Sequence, residues 1–435
     1  MSISEKGFVV PLAAGHRDLL KYFEQATADN IDADRVPVRF VVTGFDREGY
    51  RCEVGTADRS YWEGQTVSSA FKFVRRSGES AGSFNVVFIV PTGIGAEIGG
   101  HAGDATPAAH LLASSCDRLI LHPNVVNASD INEAPPNSLY LEGSEITRLL
   151  MGTIGIQEVR ANRILVVVDG AHNKLFFGAT VNSVNAAVSS YGIRCAGVWA
   201  LDSAPRMTSK TSISGRIGGL IENMSPLFRL LKRHRNEYDA ISVSSPIFSP
   251  SGVLTYFTAG GSMANPWGGV EALLTHTITS VLNVPSAHSP MMESEDIAKA
   301  DLGIVDPRMA AEAVSLTFVN CVLKGLRKSP KIVHGADLYA RPGMLTAADV
   351  SCLVIPNGCL GLPTLAALEQ GIPVIAVVEN KNMMRNDLTQ LPWQPGQFWI
   401  AQNYWEASGI ASAIKAGLNP DSTRRPLARV SVRRD

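Results

Sequence analysis

From Phe84 onward the chain alternates short, unbroken apolar runs with segments of helical period. The runs are NVVFIVP (85–91), DRLILHP (117–123), RILVVVDG (163–170), IRCAGVWALD (193–202), YDAISVSSP (238–246), VSCLVIPNG (350–358) and IPVIAVVEN (372–380). A continuous apolar strand is buried on both faces, and strands that alternate with helices form a parallel sheet. The pattern predicts an α/β fold, with a mostly parallel, helix-covered sheet or sheets in Rossmann-like lobes. Between the strands, Thr106-Pro107 predicts a helix with Thr106 as N-cap and Pro107 at N1. Pro363-Thr364 opens a second helix that Gly371 closes. Stretches 268–282 and 306–326 read as longer amphipathic helices.

Residues 1–80 read differently. A helix near 17–24 precedes two β-rich runs, VPVRFVVTGF and YRCEVGT, joined through Asp46-Arg47-Glu48-Gly49 as in a hairpin. The expected organisation is a small α+β appendage (1–80), a first α/β lobe with a glycine-rich loop (81–235), a second lobe (236–418), and a disordered basic tail (419–435) holding Arg424, Arg425, Arg429, Arg433 and Arg434.

Composition narrows the class. With 39 Lys+Arg against 40 Asp+Glu, the net charge of -1 offers no general attraction to nucleic acid or anionic membrane. No apolar run reaches the roughly 18 residues a membrane span needs, and MSISEKGFVV lacks the layout of a signal peptide. Six cysteines without CxxC spacing imply reduced thiols. These features predict a cytoplasmic enzyme with a small-molecule substrate, no nucleic-acid or membrane partner, and a homo-oligomeric state.

The glycine-rich loop VPTGIGAEIGGHAGDATPAAHLL (90–112) is the first candidate for chemistry. Thr92, Gly93, Gly95, Gly99 and Gly100 lie where ligands bind in open α/β sheets, beyond a strand's carboxyl end, and could bring backbone N–H groups to an anion. His101 and Asp104 are the loop's proton-transfer or metal-ligating side chains. The spacing is not that of a Rossmann fingerprint or a P-loop, so neither a nicotinamide nor a flavin is expected there. The next loop carries His122, Asn124, Asn127 and Asp130; with His101 and Asp104 it could assemble an N/O site for a divalent metal. Asn265, Gly268 and Gly269 precede a helix with Glu271 in its first turn, a start suited to an anion, and Glu271 itself could act as a base or as a cap. His288 follows that helix, whereas His276 within it reads as a packing histidine.

Arg308 stands in the first turn after Asp306-Pro307, where a cation opposes the helix dipole, and pairs with either Glu312 or a ligand carboxylate. Asn357, Gly358, Gly361, Thr364 and Asn380 belong to segment 354–382. That segment loosely resembles the donor-binding stretch of two-domain glycosyltransferases, but Ala367 stands where a ribose-binding Glu would be. Cys359, in a glycine loop before a helix, is a candidate nucleophile.

Taken together, PTGIGAEIGGHAGDATPAA, LHPNVVNASDINE, LYLEGS, NPWGGVEA and GLPTLAALEQGIPVIAVVENKN resemble the bacterial and cyanobacterial family called domain of unknown function 3326, over about residues 84–400. The resemblance implies that these loops belong together and brings no catalytic residue with it. The leading expectation is a non-redox lyase or isomerase acting on a small polar or anionic metabolite. His101 would act as acid/base oriented by Asp104, His122 or His288 would be the second proton-transfer group, and Asn127, Asn265 and Arg308 would position substrate. A two-lobed transferase using a nucleotide-linked donor and a non-catalytic binding protein are the alternatives.

Overall fold

The computed structural model describes all residues except 1, 13–17, 60–66, 340–342, 428 and 433–435. Arg17 of the first expected helix and Arg433 and Arg434 of the basic tail therefore lie outside the described residues. The chain opens with β1 (Ile3–Val10), α1 (Leu19–Asn30) and the expected hairpin β2 (Arg35–Asp46) and β3 (Gly49–Asp58). Then come β4 (Asn85–Phe88), α2 (Thr106–Ala113), β5 (Arg118–Leu121), β6 (Ser138–Tyr140) and α3 (Gly143–Leu150). The middle of the chain supplies β7 (Arg163–Asp169), α4 (Lys174–Tyr191), β8 (Arg194–Leu201), β9 (Arg206–Thr211), β10 (Ile217–Glu222), β11 (Ala240–Phe248), α5 (Gly268–Leu282) and β12 (Ser286–Met291). It closes with α6 (Val319–Leu326), β13 (Cys352–Pro356), β14 (Leu360–Gly361), α7 (Leu362–Gln370), β15 (Val374–Val377), β16 (Phe398–Ala401) and α8 (Tyr404–Lys415).

The fold is α/β, with two principal sheets that do not follow chain order. One is six-stranded and wholly parallel, in the order β16-β15-β13-β4-β5-β6. In their own sequence order these strands run 3-2-1-4-5-6 from the β6 edge. The chain reverses direction across the sheet between β4 and β13. Right-handed crossovers going opposite ways from that point put α2 and α7 on opposite faces. Accordingly, α2 packs with α8, and α7 packs with α3 and α1.

The other sheet has ten strands and is mixed, so the expected mostly parallel pattern holds for only part of the molecule. Strands β8-β7-β11-β12 pair in parallel, and β11 is joined to β9 over Ile247 and Phe248. From β9 the order continues antiparallel through β10, β1, β3 and β2 to β14. Strand β14, directly after β13, therefore links the two sheets. The run RMTSKT of β9 is polar and IGGLIE of β10 is glycine-rich, so neither stands out as an apolar run; they form an antiparallel ribbon.

Two helix expectations are corrected. Thr106 is the first helical residue rather than the N-cap; its hydroxyl donates to the Gly103 carbonyl at 2.7 Å. The stretch 306–326 is broken into Ala310–Ala313 and α6, with a non-helical segment between them. By contrast, α5 covers 268–282 as expected, and α7 ends at Gly371 in the left-handed conformation.

Candidate functional site

A cavity of about 500 Å³ lies at the reversal point of the parallel sheet, between the loops that follow β4 and β13 and one face of α5. In open α/β sheets this is where ligands bind. The loop after β4 contributes Pro91, Thr92 and Ile94, and the segment after β13 contributes Cys359, Leu360 and Gly361. Helix α5 turns Gly268, Glu271, Ala272, Thr275, His276 and Ser280 toward the space, spaced by three and four residues. Its Val270, Leu273, Leu274 and Ile278 are buried in the core. Close seating of α5 requires glycine at its start, since a Cβ on Gly269 would lie 1.9 Å from the Ile217 carbonyl oxygen. Gly269 thus lets the helix approach β10, Gly268 lies against Thr92, and the Gly268 N–H is bonded to Asn265 Oδ1 at 3.1 Å.

Two carboxylate–imidazole pairs meet the cavity. His288, on β12, is bonded through Nδ1 to Glu271 Oε1 at 2.9 Å and through Nε2 to Ser245 Oγ at 3.1 Å. The connectivity is that of a Ser–His–acid triad, but the order from buried to open is reversed. Ser245 is buried, whereas Glu271 is 27% exposed. The carboxylate is the end offered to a ligand, and the serine lies behind the imidazole.

The second pair runs the other way. Glu142, buried at the N-cap of α3, bonds His276 Nδ1, which leaves the imidazole toward the cavity. Glu142 also accepts from the Ser144 N–H at 2.7 Å, from the Ser144 hydroxyl, and from the Thr275 hydroxyl at 3.0 Å. Burial raises its pKa, but the charge and hydrogen bond of His276 and the bonds from Ser144 outweigh burial and hold the carboxyl below its usual range.

His122 also lines the cavity. Its Nε2 accepts the Val90 N–H at 3.1 Å, which places the ring proton on Nδ1. Burial drives its pKa down to about 4, so it is neutral near pH 7. Arg39 reaches the same space beside Arg216. Burial and the Arg216 charge lower the Arg39 pKa to about 10, against the opposing pull of Glu5, Glu53 and Glu142. Arg216 is spoken for by Glu5 at 2.7 Å and Glu53 at 2.6 Å.

Other candidates have different partners. His101 is buried and its Nδ1 lies 2.6 Å from the Tyr256 hydroxyl; burial, and secondarily Arg308, depress its pKa to about 4. Asp104 bonds the backbone N–H groups of Gly99 (2.8 Å) and His101 (3.4 Å), not the His101 ring. Burial raises its pKa to about 7 despite those bonds. The expected His101–Asp104 acid/base pair is therefore corrected to two separate supports of the loop.

Several amides of that loop are also committed. Ile98 N–H donates to Asn380 Oδ1 and Ala102 N–H to Glu312 Oε1, while the Gly93 carbonyl accepts from Ile217 N. Gly93 has φ 71°, and a Cβ there would come 2.4 Å from the Ile217 oxygen. Gly95 and Gly99 turn the backbone with positive φ, and Gly100 lies against Ala96.

Arg308 pairs with Asp306 at 3.0 Å and Glu97 at 3.1 Å, not with Glu312. Glu312 is instead buried on the cavity wall, accepting from Ala102 N–H at 2.7 Å and Asn265 Nδ2 at 2.9 Å. Burial raises its pKa to about 7. Asp130 bonds Asn320, outside the cavity lining.

Asn124 and Asn127 line the cavity while bracing it. Asn124 donates to the Gly99 carbonyl at 2.6 Å, and Asn127 to the Tyr140 hydroxyl at 2.8 Å. Asn380 clamps the backbone of Ile98 and bonds Tyr404, and Thr364 caps the Cys359 carbonyl. The Asn357 carbonyl holds Asn382, and Gly358, at φ 85°, packs against the Met384 carbonyl. Cys359 is corrected: it is buried, and burial pushes its thiol pKa up, the opposite of an activated nucleophile. Among the described residues no group of three or more His, Cys, Asp or Glu side chains is arranged to hold a metal ion.

Sequence reasoning did not single out Glu142, Arg39, Ser245 or Tyr256, and set His276 aside. For His276 a signal was present: polar and small residues recurring at one face of an otherwise apolar helix.

These loops, and the cavity apart from the wall that carries Arg39, fall within residues 85–424, which match the model of the family described as protein of unknown function (DUF3326). The chain belongs to that family. It is 32% identical over 343 residues to a protein of Synechococcus sp. (strain ATCC 27144 / PCC 6301 / SAUG 1402/1) named an uncharacterized lipoprotein, covering 78% of this chain and 92% of that one. No solved structure matches. The relative's name overturns the expectation of a cytoplasmic protein, which rested on charge balance, unpaired cysteines and the make-up of MSISEKGFVV. Among the described residues, no helix is long and apolar enough to cross a membrane.

Proposed function

We propose that the cavity is the active site of a non-redox enzyme that moves protons on a small polar or anionic substrate. One observation carries the reading: α5 offers the same space a carboxylate backed by an imidazole, Glu271–His288, and an imidazole backed by a carboxylate, His276–Glu142. Glu271 is the base and takes a proton from a carbon next to a carbonyl. The electron pair of that C–H bond moves toward the carbonyl oxygen, which His276 protonates from Nε2. Where the deprotonated carbon bears a hydroxyl, that hydroxyl gives its proton to His276 Nε2 and becomes the new carbonyl while Glu271 returns its proton to the former carbonyl carbon, which gives an isomerase. Where the carbon on the other side bears a leaving group, the enol oxygen gives its proton back to His276, the carbonyl re-forms, and the group leaves with its electron pair and takes the proton held by Glu271, which gives a lyase. Ser245 and His288 orient Glu271, and Arg39 adds positive charge near the developing oxyanion. The six-stranded sheet is read as a Rossmann-like lobe from its strand order, with the cavity at its crossover point.

The test is hydrogen exchange. The protein is incubated in deuterated water with a panel of small oxo acids, hydroxy acids and sugar phosphates, and loss of C–H signal is followed by NMR. Exchange on one panel class that falls at least a hundredfold in Glu271→Gln and His276→Gln supports the reading. Binding with no exchange on any compound would refute it in favour of a ligand-binding protein. The relative's name gives that second reading a specific form, a binding protein tethered to a membrane through lipid.

A further inference from the structure

The end of the cavity farthest from Glu271 is built differently. Arg148, on α3, donates from Nη2 to Asn283 Oδ1 at 2.6 Å, and Asn283 is the residue that ends α5. Its other terminal nitrogen, Nη1, is buried and has no acceptor among the described residues, and Arg148 forms no ion pair among them. The neighbouring acid is Glu145, one turn earlier on α3. It is fully buried, and neither of its oxygens has a hydrogen-bond partner among the described residues. Burial, followed by the charge of Glu142, raises the Glu145 pKa well above the ordinary range, with the charge of Arg148 pulling the other way. A guanidinium with an unused N–H at the wall of a cavity calls for an oxyanion, which its fork geometry suits. Thr147, Thr153 and His334 line the same end and supply further polar contacts.

Helix α5 sets the distance. At 1.5 Å per residue, Asn283 lies about 18 Å along the helix from Glu271 and about 10 Å from His276. We infer that the cavity takes an elongated substrate with a terminal oxyanion, a carboxylate or a phosphate, seated on Arg148 at the C-terminal end of α5 while the reacting carbon lies near Glu271 and His276. The inference rests on the acid–base reading for the position of the reacting carbon, but the anion seat stands without it.

The experiment uses a ladder of linear dicarboxylates from succinate to sebacate, with the matching monocarboxylates, measured by calorimetry and thermal shift on the full chain. Phosphomonoesters of the same chain lengths then separate the two oxyanions. Wild type is expected to bind the longer dicarboxylates more tightly than the short ones. Arg148→Gln should weaken that binding tenfold or more and flatten the dependence on length. Arg148→Lys keeps the charge but loses the fork and should fall between; it also serves if the Gln variant does not fold. Equal affinity of wild type and Arg148→Lys, or no binding by any member of either ladder, overturns the seat. If Arg148 variants weaken binding and no compound shows proton exchange, the seat stands and the catalytic reading falls.

Discussion

Burying Glu312 makes a quantitative claim about stability. Its ordinary carboxyl pKa of 4.5 is raised to about 7 by burial, with Ala102 N–H and Tyr256 pulling the other way and the charges of Asp104 and Glu271 adding to the rise. Below pH 4.5 the folded and unfolded chains both hold the proton. As pH rises between 4.5 and 7, the unfolded chain releases it first, so the native state binds more protons and stability falls. Above pH 7 the loss is complete, and a shift of this size corresponds to roughly 3 kcal/mol. Three other groups titrate in the same range, with opposite signs. Asp104, raised to about 7, adds to the loss, whereas His101 and His122, lowered to about 4, cost stability as pH falls below their ordinary 6.5. Comparing wild type with Glu312→Gln isolates the Glu312 contribution. The amide preserves an acceptor for Ala102 and Asn265 but cannot ionise. Urea unfolding of both proteins between pH 4.5 and 8.5 should give curves that diverge, with the variant gaining roughly 3 kcal/mol relative to wild type at the alkaline end. Parallel curves would mean that Glu312 is not held protonated, and the placement of this carboxyl against the loop would be wrong.

Gly269→Ala is expected to destabilise by about 1–3 kcal/mol, because a methyl placed 1.9 Å from the Ile217 oxygen must push α5 off β10. The same displacement shifts Glu271 and His276, so proton exchange should fall further than stability alone predicts; a variant with wild-type melting and exchange would contradict the close seating. For the thiols, a chromogenic disulfide at neutral pH should label Cys195, the half-buried one, first, and Cys359 only on unfolding. Rapid native labelling of Cys359 would revive it as a nucleophile.

The parallel sheet was legible because its strands are apolar on both faces. Val86, Val87, Leu119, Ile120, Leu353 and Val354 leave no polar position to break the runs. The bounds of α5 were legible because Gly268 and Asn283 punctuate both ends. The antiparallel ribbon of β9 and β10 was not, because strands carrying Lys210 or Gly218-Gly219 show no apolar run, although the two pair with each other. The site was half legible. His288 and Glu271 are close in sequence and flank one helix, whereas Glu142 and His276 meet from elements 134 residues apart. His101 was the attractive candidate because it is the one histidine of the glycine loop. The decisive fact, a Tyr256 hydroxyl arriving from 155 residues away, has no local trace.

The interleaving of the two sheets bears on how the chain must be made. Strand β4 pairs on one side with β5, which follows it directly, but on the other side with β13, where Val86 stands opposite Cys352. During synthesis from the N-terminus, the central strand of the parallel sheet therefore emerges with one edge open and stays so while β7 through β12 of the mixed sheet are translated. An uncovered apolar strand edge invites pairing with another chain. The nascent protein is thus most exposed to aggregation after residue 140 and before residue 352 has left the ribosome, a window in which a chaperone, or the early folding of β7 through β12, would have to shield it.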